Sequence, residues 1–461
     1  MTVQKLLRYL FAFTILLYIA SILFPKTHLE YPLSILCLIL VVSNMFWVKR
    51  FVKVLAILFL FFGCIMLWKS DAEWQDYIKS FGPMLDLITM MTLLPILGLT
   101  VNLGEYNKDI QTLIQKKVKT FSHLYMVISG ISYSLAVFMN LATLPMIYHS
   151  VRPSLSNFST INPERFMSTA IIRGYAMSLM WAPMTPIVGV VIEVTGVNWL
   201  SVLQYILPLS LLGILLDWHI VRRRYKECRL SEVTKNETAT SIEKEISASA
   251  KRVIHIVWAI LCFNILISIA EYKLPFSFLV IVSLLVIPFS FTWSVFLGKT
   301  KGFVEGLFKY FSSFSMMMKD QFCIYLSAGF LISAVRMSHT NDLLYSWINQ
   351  IKSVIGVNFF LILLPLIPLT FSFLGLHPAV TIVLMAEALD PELLGISPSI
   401  LTVAMLAGAV SAFLVGPYNA TIGLMSSIIK KNSFKVSRWN VPYTALYLGV
   451  VMLYLAILEL L

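Results

Sequence analysis

The chain has 461 residues, of which 58% are hydrophobic and only 13% are charged, and its mean hydropathy is +0.83. No soluble core needs so much apolar surface, so the composition predicts an integral membrane protein, with length for about a dozen spans of roughly 20 residues each. The net charge of +12 does not indicate nucleic-acid binding, because the basic residues lie in short loops between hydrophobic segments, as in cytoplasmic loops of membrane proteins.

The sequence carries no signature of an enzyme or of a cofactor site. It lacks the GxSxG, Walker and HExxH patterns, and its seven histidines are dispersed. Its five cysteines are scattered, without the spacing of a disulfide framework or of a metal site. We therefore expect no catalytic residue, metal or cofactor, apart from Na+ or H+ as a coupling ion.

Three hydrophobic helices are predicted first, near residues 8–25, 31–48 and 51–68. Lys49, Arg50 and Lys53 mark the turn between the second and the third, which the positive-inside rule assigns, together with the N-terminus, to the cytoplasm. Residues 83–103 then cross inward. The segment 104–120 combines basic residues with apolar residues at helical spacing, which predicts an amphipathic helix on the inner surface.

The next segments predict a re-entrant hairpin and a broken helix. Residues 121–150 are apolar but interrupted by MNLATLP, and the following loop again carries basic residues, Arg152 and Arg165. A hairpin that enters from the cytoplasm and returns fits this pattern better than a full span. The interrupted segment 165–196 then crosses outward, and residues 200–220 return to the basic RRRYK cluster.

The second half repeats these parts in the opposite orientation. It begins with two helices where the first half begins with three. Because the two numbers differ by one, every later element of the second half has the opposite orientation in the membrane. The predicted elements are helices at 254–270 and 275–297, a span at 318–336, a surface helix at 339–353, a hairpin at 355–388, a broken helix at 399–430 and a last helix at 441–461.

Two blocks of the sequence match without a gap, which indicates an internal repeat. GYAMSLMWAPMTPIVGVV begins at Gly174 and GAVSAFLVGPYNATIGLM begins at Gly408, so the offset is 234 residues. The match also aligns Pro183 with Pro417. Matching interrupted segments in two halves of a membrane chain predict a solute site near the bilayer midplane, because broken helices leave backbone groups and helix ends free.

These observations divide the chain into five parts. They are N-terminal scaffold helices (1–82), a first transport repeat (83–221), a cytoplasmic linker (222–252), a second scaffold segment (253–317) and a second, inverted transport repeat (318–461). The predicted fold class is an all-α integral membrane protein with about eleven transmembrane helices and two re-entrant hairpins in inverted repeats.

The order of these parts resembles the ion transporter superfamily, which includes divalent-anion/sodium symporters and citrate permeases. The resemblance covers the two transport repeats. In that superfamily hairpin tips often carry a Ser-Asn-Thr-like motif followed by a proline. Here MNLATLP provides Asn140, Thr143 and Pro145, with Met139 in the place of the serine.

The second hairpin and the two breaks extend the resemblance. The hairpin carries GLHPAV, with His377 and without an asparagine, while the breaks APMTPIVG and GPYNATIG provide Thr185, Asn419 and Thr421. The resemblance implies an elevator-type secondary transporter, in which hairpins and broken helices slide against a scaffold. It also implies a homodimer.

Residues at the breaks and hairpin tips are the candidates for binding solute or ion, because uncharged polar groups can replace the water shell of an ion without adding net charge. The candidates are Asn140, Thr143, Pro183, Thr185, His377, Pro417, Asn419 and Thr421. Each has a local role as the alternative, since Asn and Thr also satisfy backbone groups that a nearby proline frees, and a lone His beside Pro is often structural.

Charged residues inside membrane segments are costly, which makes each of them a functional hypothesis. Arg173 is a candidate charge partner for an anionic substrate, or it reaches water from near the helix end. Glu387 is a candidate proton carrier or ion ligand. Five further residues fall near predicted helix ends and are expected to be interfacial, namely Asp86, Asp217, Glu193, Asp320 and Arg336.

The sequence therefore predicts a secondary transporter for a small organic anion, coupled to Na+ or H+ and working by alternating access. A cation/proton antiporter on the same fold is the second hypothesis, and it requires a titrating carboxylate such as Glu387 or Asp86. A membrane-embedded enzyme or lipid-handling protein is the third. The expected partners are a small molecule or ion and the lipid bilayer, and short loops with a basic inner face suit the inner membrane of a bacterium.

Overall fold

The structure, a computed structural model, describes residues 3–106, 120–152, 162–225, 239–338, 340–389, 391 and 395–460. Its regular elements are helices. Those of the first half are α1 (Val3–Leu23), α2 (Glu30–Asn44), α3 (Arg50–Lys69), α4 (Trp74–Lys79), α5 (Leu85–Leu93), α6 (Pro95–Leu103), α7 (Phe121–Met139), α8 (Thr143–Val151), α9 (Pro163–Ser178), α10 (Pro186–Thr195) and α11 (Trp199–Arg224). Those of the second half are α12 (Ala239–Lys273), α13 (Phe278–Phe296), α14 (Thr300–Met337), α15 (Thr340–Ile355), α16 (Val357–Leu363), α17 (Leu366–Phe373), α18 (Pro378–Ala388), α19 (Pro398–Val415), α20 (Ala420–Ile429) and α21 (Ser433–Leu460).

The described residues contain eight helical stretches that are long and apolar enough to cross a membrane. They are Arg50–Lys69, Leu85–Leu103, Phe121–Val151, Trp199–Arg224, Ile254–Lys273, Phe278–Phe296, Pro398–Ile429 and Ser433–Leu460. The predicted all-helical membrane fold is confirmed. Seven of the eight stretches correspond to predicted spans, and the remaining one, Phe121–Val151, covers the first predicted hairpin. The first two predicted spans have apolar parts shorter than 18 residues, at Leu7–Leu23 and Glu30–Asn44, and the predicted span 318–336 lies inside the longer α14.

The first parts of the two predicted broken helices, α9 and α19, are buried inside the molecule. All residues of α9 from Phe166 to Ser178 are buried, and so are all residues of α19 from Leu401 to Val415. Outer helices instead expose large apolar side chains, such as Phe61 on α3 and Trp258 on α12. Apolar residues on the outside and small or polar residues inside are typical of helices packed within lipid.

Both broken helices are interrupted where the sequence predicts, and their second parts keep the same register. The helices α10 and α20 each have ten residues, and both the first and the last residues of the two are 234 positions apart. Each ends on a left-handed residue, Gly196 with φ +65° and Lys430 with φ +53°. The next helices, α11 and α21, begin after Asn198 and Asn432, whose side-chain oxygens accept hydrogen bonds from Leu200 N and Phe434 N.

The two predicted hairpins are pairs of helices with an interruption at the predicted tip. In the first, α7 ends at Met139 and α8 begins at Thr143, with a 3-10 turn between them. In the second, α17 ends at Phe373 and α18 begins at Pro378, and Gly375 adopts φ +92°, a conformation that glycine takes without steric cost.

Three sequence predictions differ from the structure or lie outside it. Within the predicted linker 222–252, the structure adds a helix from Ala239 onward, the first part of α12, and residues 226–238 lie outside the described residues. The last helix begins at Ser433 and not at residue 441, since Asn432 caps it there. The predicted surface helix 104–120 falls mostly on residues 107–119, outside the described residues, whereas its counterpart is the helix α15.

Candidate functional site

At the breaks of the two broken helices, side chains form hydrogen bonds with the local backbone. Thr185 Oγ1 donates to Ala182 O at 2.8 Å. Asn419 Nδ2 donates to Ala412 O at 2.7 Å, while its Oδ1 accepts from Ile422 N at 2.8 Å. Thr185 and Asn419 are buried. Their hydrogen bonds fit the structural role that the sequence offered as the alternative to ligand binding, because both side chains satisfy backbone groups that the break leaves unpaired.

The prolines of the two breaks are buried beside these side chains. Pro183 and Pro417 are the residues that the internal repeat aligns, and each stands two positions before its capping residue. A proline cannot continue the backbone hydrogen bonds of a helix, so it ends the preceding helical part and leaves carbonyl groups to be paired. The prolines thus shape the breaks and offer no polar group of their own.

Each broken helix is in contact with the hairpin of the other half. The helix α10, from the first half, packs against α18 and α19, and α20, from the second half, packs against α8. Thr402 Oγ1 on α19 donates to Thr195 Oγ1 on α10 at 2.9 Å. Helices of the hairpins and of the broken helices therefore pack together although they are far apart in sequence.

The tip of the first hairpin forms the polar centre of this arrangement. Asn140 has φ +47° and ψ −131°, a conformation outside the left-handed helical region that glycine adopts most readily, and its Oδ1 accepts a hydrogen bond from Tyr175 Oη at 2.7 Å. The hydroxyl of Tyr175 also lies beside that of Thr421 on α20. One tyrosine thus connects the first hairpin, the first broken helix and the second broken helix.

Two hydroxyl groups at this centre are buried without a well-formed hydrogen bond from any described residue. They are Thr143 Oγ1 at the start of α8 and Thr421 Oγ1 on α20, and both side chains are fully buried. A buried polar group without a partner costs free energy, and a bound ion or solute is one way to satisfy it. Together with the half-buried Asn140 they form a cluster of uncharged oxygen and nitrogen groups.

His377 lies at the tip of the second hairpin and connects it to α14. Its Nδ1 accepts a hydrogen bond from Tyr325 Oη on α14 at 2.8 Å and one from Ala379 N at 3.3 Å, which caps α18. The ring also makes an edge contact with Phe413 on α19. With Nδ1 accepting, the neutral ring carries its proton on Nε2, a tautomer assigned from these bonds.

Arg173 does not stand alone in the membrane, because the protein itself balances its charge. Its Nη1 donates to Asp217 Oδ1 at 2.7 Å, its Nε donates to Asn440 Oδ1 at 3.1 Å, and its guanidinium lies 4.6 Å from the centroid of the Tyr443 ring. Tyr125 Oη donates to the same oxygen of Asp217. The pair joins α9 to α11, and its neighbours join both to α7 and α21.

The expectation that Asp217 is interfacial is wrong, since this side chain is 1% exposed. Its position near the RRRYK cluster suggested a helix end, but α11 continues to Arg224 and the neighbouring helices cover Asp217. Asp86 is half-buried at the start of α5, and Glu193 is exposed near the end of α10. The side chain of Glu387 lies outside the described residues.

Sequence reasoning missed Tyr175, Tyr325 and the partners of Arg173. Tyr175 follows Gly174 directly in the repeated block, where the first block has a tyrosine and the second an alanine. That difference between the copies is the one local signal for it. The partners of Arg173 and His377 come from distant helices, and no spacing in the sequence indicates them.

The chemistry of the cluster suits the binding of a polar solute or an ion. Its members are an amide, a phenol and two hydroxyls, which can coordinate an ion or form hydrogen bonds with a solute. Among the described residues, no group of three His, Cys, Asp or Glu side chains could hold a metal ion.

Comparisons with known proteins find similarity at the level of the fold. No family model matches the chain, and no curated protein sequence matches it. The solved structure of the YdaH transporter of Alcanivorax borkumensis is similar with a TM-score of 0.60 and 14% identity over 87% of this chain and 98% of that chain. MtrF of Neisseria gonorrhoeae, described with a class of antimetabolite efflux pumps, is similar with a TM-score of 0.57 and 14% identity over 88% of this chain and 97% of that chain.

These similarities cover nearly the whole of both transporters and confirm a multi-pass helical membrane fold of their type. The part of the predicted resemblance that these similarities support is the fold of a membrane transporter. At 14% identity this similarity concerns the fold. The substrate has to be inferred from the chemistry of the site. The chain has the fold of the YdaH and MtrF transporters.

Proposed function

We propose that the chain is a secondary transporter that moves a small organic anion together with Na+ or H+ by alternating access. The observation that carries the proposal is the pair of broken helices, whose second parts share one register and pack against the hairpins of opposite halves. Such discontinuous helices arrange backbone groups and helix ends around a site inside the membrane. The similarity to the folds of two transporters supports the same interpretation.

In this proposal residues 83–221 and 318–461 are inverted transport repeats, and residues 1–82 and 253–317 are the scaffold against which they slide. The constant offset between the broken helices supports a common origin of the two repeats. An elevator movement and a homodimer are carried over from the resemblance to the ion transporter superfamily. The basic loops support a cytoplasmic N-terminus, with the protein in the inner membrane of a bacterial cell.

The proposed site is the cluster at the first hairpin tip. Asn140, Thr143, Tyr175 and Thr421 offer oxygen and amide groups that can replace the water shell of a coupling ion or bind the polar part of the solute. Thr185, Asn419, Pro183 and Pro417 shape the two breaks around it, and His377 fixes the second hairpin tip.

The preference for an anion has its physical basis in helix ends. Helices α8, α10, α18 and α20 all begin at a hairpin tip or a break, and the N-terminus of a helix carries a partial positive charge. Arg173 is the weaker candidate for matching the substrate charge, because binding there would have to compete with Asp217.

The proposal is tested by the thermal stability of the detergent-purified protein in a defined panel of salts. The anions are citrate, succinate, benzoate, sulfate and phosphate, each as sodium and as choline salt, at two pH values. A ligand that binds the folded state stabilises it by about 2.7 kcal/mol at a hundredfold excess over its dissociation constant, which is a measurable shift. We expect a shift that requires both an anion and Na+, or an anion and the lower pH.

Variants test whether the shift arises at the proposed site. Asn140→Gly removes the amide but tolerates the positive φ, and Thr421→Val removes one unpartnered hydroxyl; both should weaken the ligand-dependent shift. Thr89→Val is the matched control, because Thr89 on α5 also has a buried hydroxyl without a hydrogen bond from a described residue. A shift with cations and pH alone favours the antiporter. A stable protein without any shift contradicts anion transport.

A further inference from the structure

A basic cavity lies at one end of the molecule, away from the proposed transport site. It has a volume of about 490 Å³ and lies between the first turn of α9 and the first three turns of α21. Its lining residues are Arg165, Lys435, Arg438, Trp439, Val441 and Pro442. Three of the six are cations, and none of the described residues that line the cavity is acidic.

Among the described residues, no carboxylate forms an ion pair with the three cations of this cavity. Glu164, the acidic residue next to Arg165 in the sequence, already contacts Arg152 at 3.7 Å. Arg224, at the end of α11, lies close enough to repel Arg165 electrostatically. Cations from three helices therefore concentrate at one end of the protein, and a concave surface with one sign of charge attracts an ion of the opposite sign.

The wall of the cavity continues as an apolar strip along α21. Lys435 and Arg438 are exposed on one face of this helix, and Val441 and Pro442 follow them. The same face then exposes apolar residues over the length of the helix, at Leu446, Leu453 and Ile457. A free phosphate or carboxylate would use the cations alone, whereas a phospholipid would use the cations and the apolar strip.

We propose that the cavity between α9 and α21 binds the headgroup of an anionic phospholipid, whose acyl chains lie along the exposed apolar face of α21. Arg165, Lys435 and Arg438 neutralise the phosphate, and Trp439 packs at the level of the headgroup, where aromatic residues are favoured. The cavity lies on the side that the basic loops assign to the cytoplasm.

A bound headgroup would also tie the first broken helix to the last helix. Arg165 belongs to α9, and Lys435 and Arg438 belong to α21, so one phosphate between them bridges the two helices. The backbone carbonyl of Trp439 accepts a hydrogen bond from Arg173 Nη2 at 3.1 Å. The lipid site therefore adjoins the buried ion pair that joins the same two helices to α11.

The test compares lipids on the detergent-purified full chain. Melting temperature is measured with added dioleoylphosphatidylglycerol, dioleoylphosphatidylcholine, glycerol 3-phosphate or inorganic phosphate, and native mass spectrometry counts the lipids that stay bound. We expect stabilisation and retention with phosphatidylglycerol, and little of either with phosphatidylcholine or with the two water-soluble phosphates. Equal stabilisation by glycerol 3-phosphate would show a site for a free anion and would overturn the lipid assignment.

Two matched variants remove the same amount of charge from the same end of the protein. Lys435→Gln/Arg438→Gln removes two cations of the cavity, and Arg222→Gln/Arg223→Gln removes two exposed cations that do not line it. The first variant should lose most of the stabilisation by phosphatidylglycerol and the second should keep it. Equal loss in both variants, or retention in both, would reduce the effect to general surface charge and contradict a specific headgroup site.

Discussion

Arg173 Nη1 and Asp217 Oδ1 lie 2.7 Å apart, and the exposed fractions of the two side chains are 10% and 1%. An ion pair so deeply buried gains little over an apolar pair of the same shape, but the loss of one partner leaves an uncompensated charge. The pair therefore makes the packing of α9 on α11 depend on both residues being charged. It also explains how the protein keeps an arginine in α9, a helix that is buried from Phe166 to Ser178.

The first prediction concerns this pair. Asp217→Asn preserves the shape of the side chain but leaves Arg173 without its counter-charge, and we expect it to lower the free energy of unfolding by about 3–5 kcal/mol. The double substitution Arg173→Met/Asp217→Leu should recover part of that loss. Chemical unfolding in detergent measures both values.

The control for this prediction is an exposed ion pair. Lys299 Nζ lies 2.9 Å from Glu105 Oε1, and the two side chains are 44% and 56% exposed. Because solvent screens such a pair, Lys299→Gln should change the free energy of unfolding by less than about 1 kcal/mol. If Asp217→Asn changes stability no more than Lys299→Gln, the pair does not hold α9 in place.

The second prediction concerns the two aligned glycines that begin the repeated blocks. A methyl group on Gly174 would lie 2.2 Å from Ser129 O, and one on Gly408 would lie 2.7 Å from Pro365 O. Both clashes are with backbone, so Gly174→Ala and Gly408→Ala should each destabilise the protein by about 1–3 kcal/mol or prevent folding.

Gly449 on α21 serves as the matched control for the glycine variants. A methyl group at this position would meet no atom of another helix within 4 Å, so Gly449→Ala should leave stability unchanged or raise it by about 0.5–1 kcal/mol through helix propensity. Melting temperatures and the yield of monodisperse protein compare the three variants. Tolerance of alanine at Gly174 would mean that α7 and α9 are not in close contact.

The breaks and hairpins could be predicted from the sequence because their causes are local. Pro183 and Pro417 stand at the breaks of two otherwise apolar helices, and the tip that contains Asn140 is marked by Asn, Thr and Pro inside an apolar segment. The same local logic offered a structural role for Thr185 and Asn419 as the alternative, since a residue beside a break has unpaired backbone groups within reach.

The contacts between distant helices could not be predicted in this way. Arg173 and Asn440 are 267 residues apart, and Tyr175 reaches Asn140 across the packing of two helices. Hydropathy and loop charge fix where a helix crosses the membrane, but they do not fix its rotation about its own axis. That rotation decides whether Asp217 faces headgroups or Arg173, so its burial was outside the reach of the sequence.

The third prediction separates structural from ligand-binding roles at the second break. Asn419→Ala removes the cap of α20 and the donor to Ala412 O, which should lower the free energy of unfolding by about 1–3 kcal/mol with or without ligand. Thr421→Val removes a hydroxyl without a hydrogen bond from a described residue and should leave stability in the absence of ligand nearly unchanged.

In the salt panel, the two variants should therefore each change a different quantity relative to the wild type. The Asn419 variant melts earlier in every salt but keeps its ligand-dependent shift, and the Thr421 variant starts from the wild-type melting temperature and loses that shift. A Thr421 variant that retains the full shift would remove this hydroxyl from the proposed site. A normal melting temperature for the Asn419 variant would remove the structural role assigned to its amide.

The fourth prediction concerns the contact between Tyr325 and His377, which holds the second hairpin tip to α14. Tyr325→Phe deletes the hydroxyl that donates to Nδ1 at 2.8 Å, and a loss of about 0.5–1.5 kcal/mol is expected for one hydrogen bond. His377→Asn keeps a short polar side chain that can cap α18. The double variant should lose less free energy of unfolding than the sum of the two single losses, since each substitution removes the same hydrogen bond.

Unfolding of the wild type, of both single variants and of the double variant gives the coupling energy. Strictly additive losses would show that the tip is held by packing against Phe413 and not by this bond.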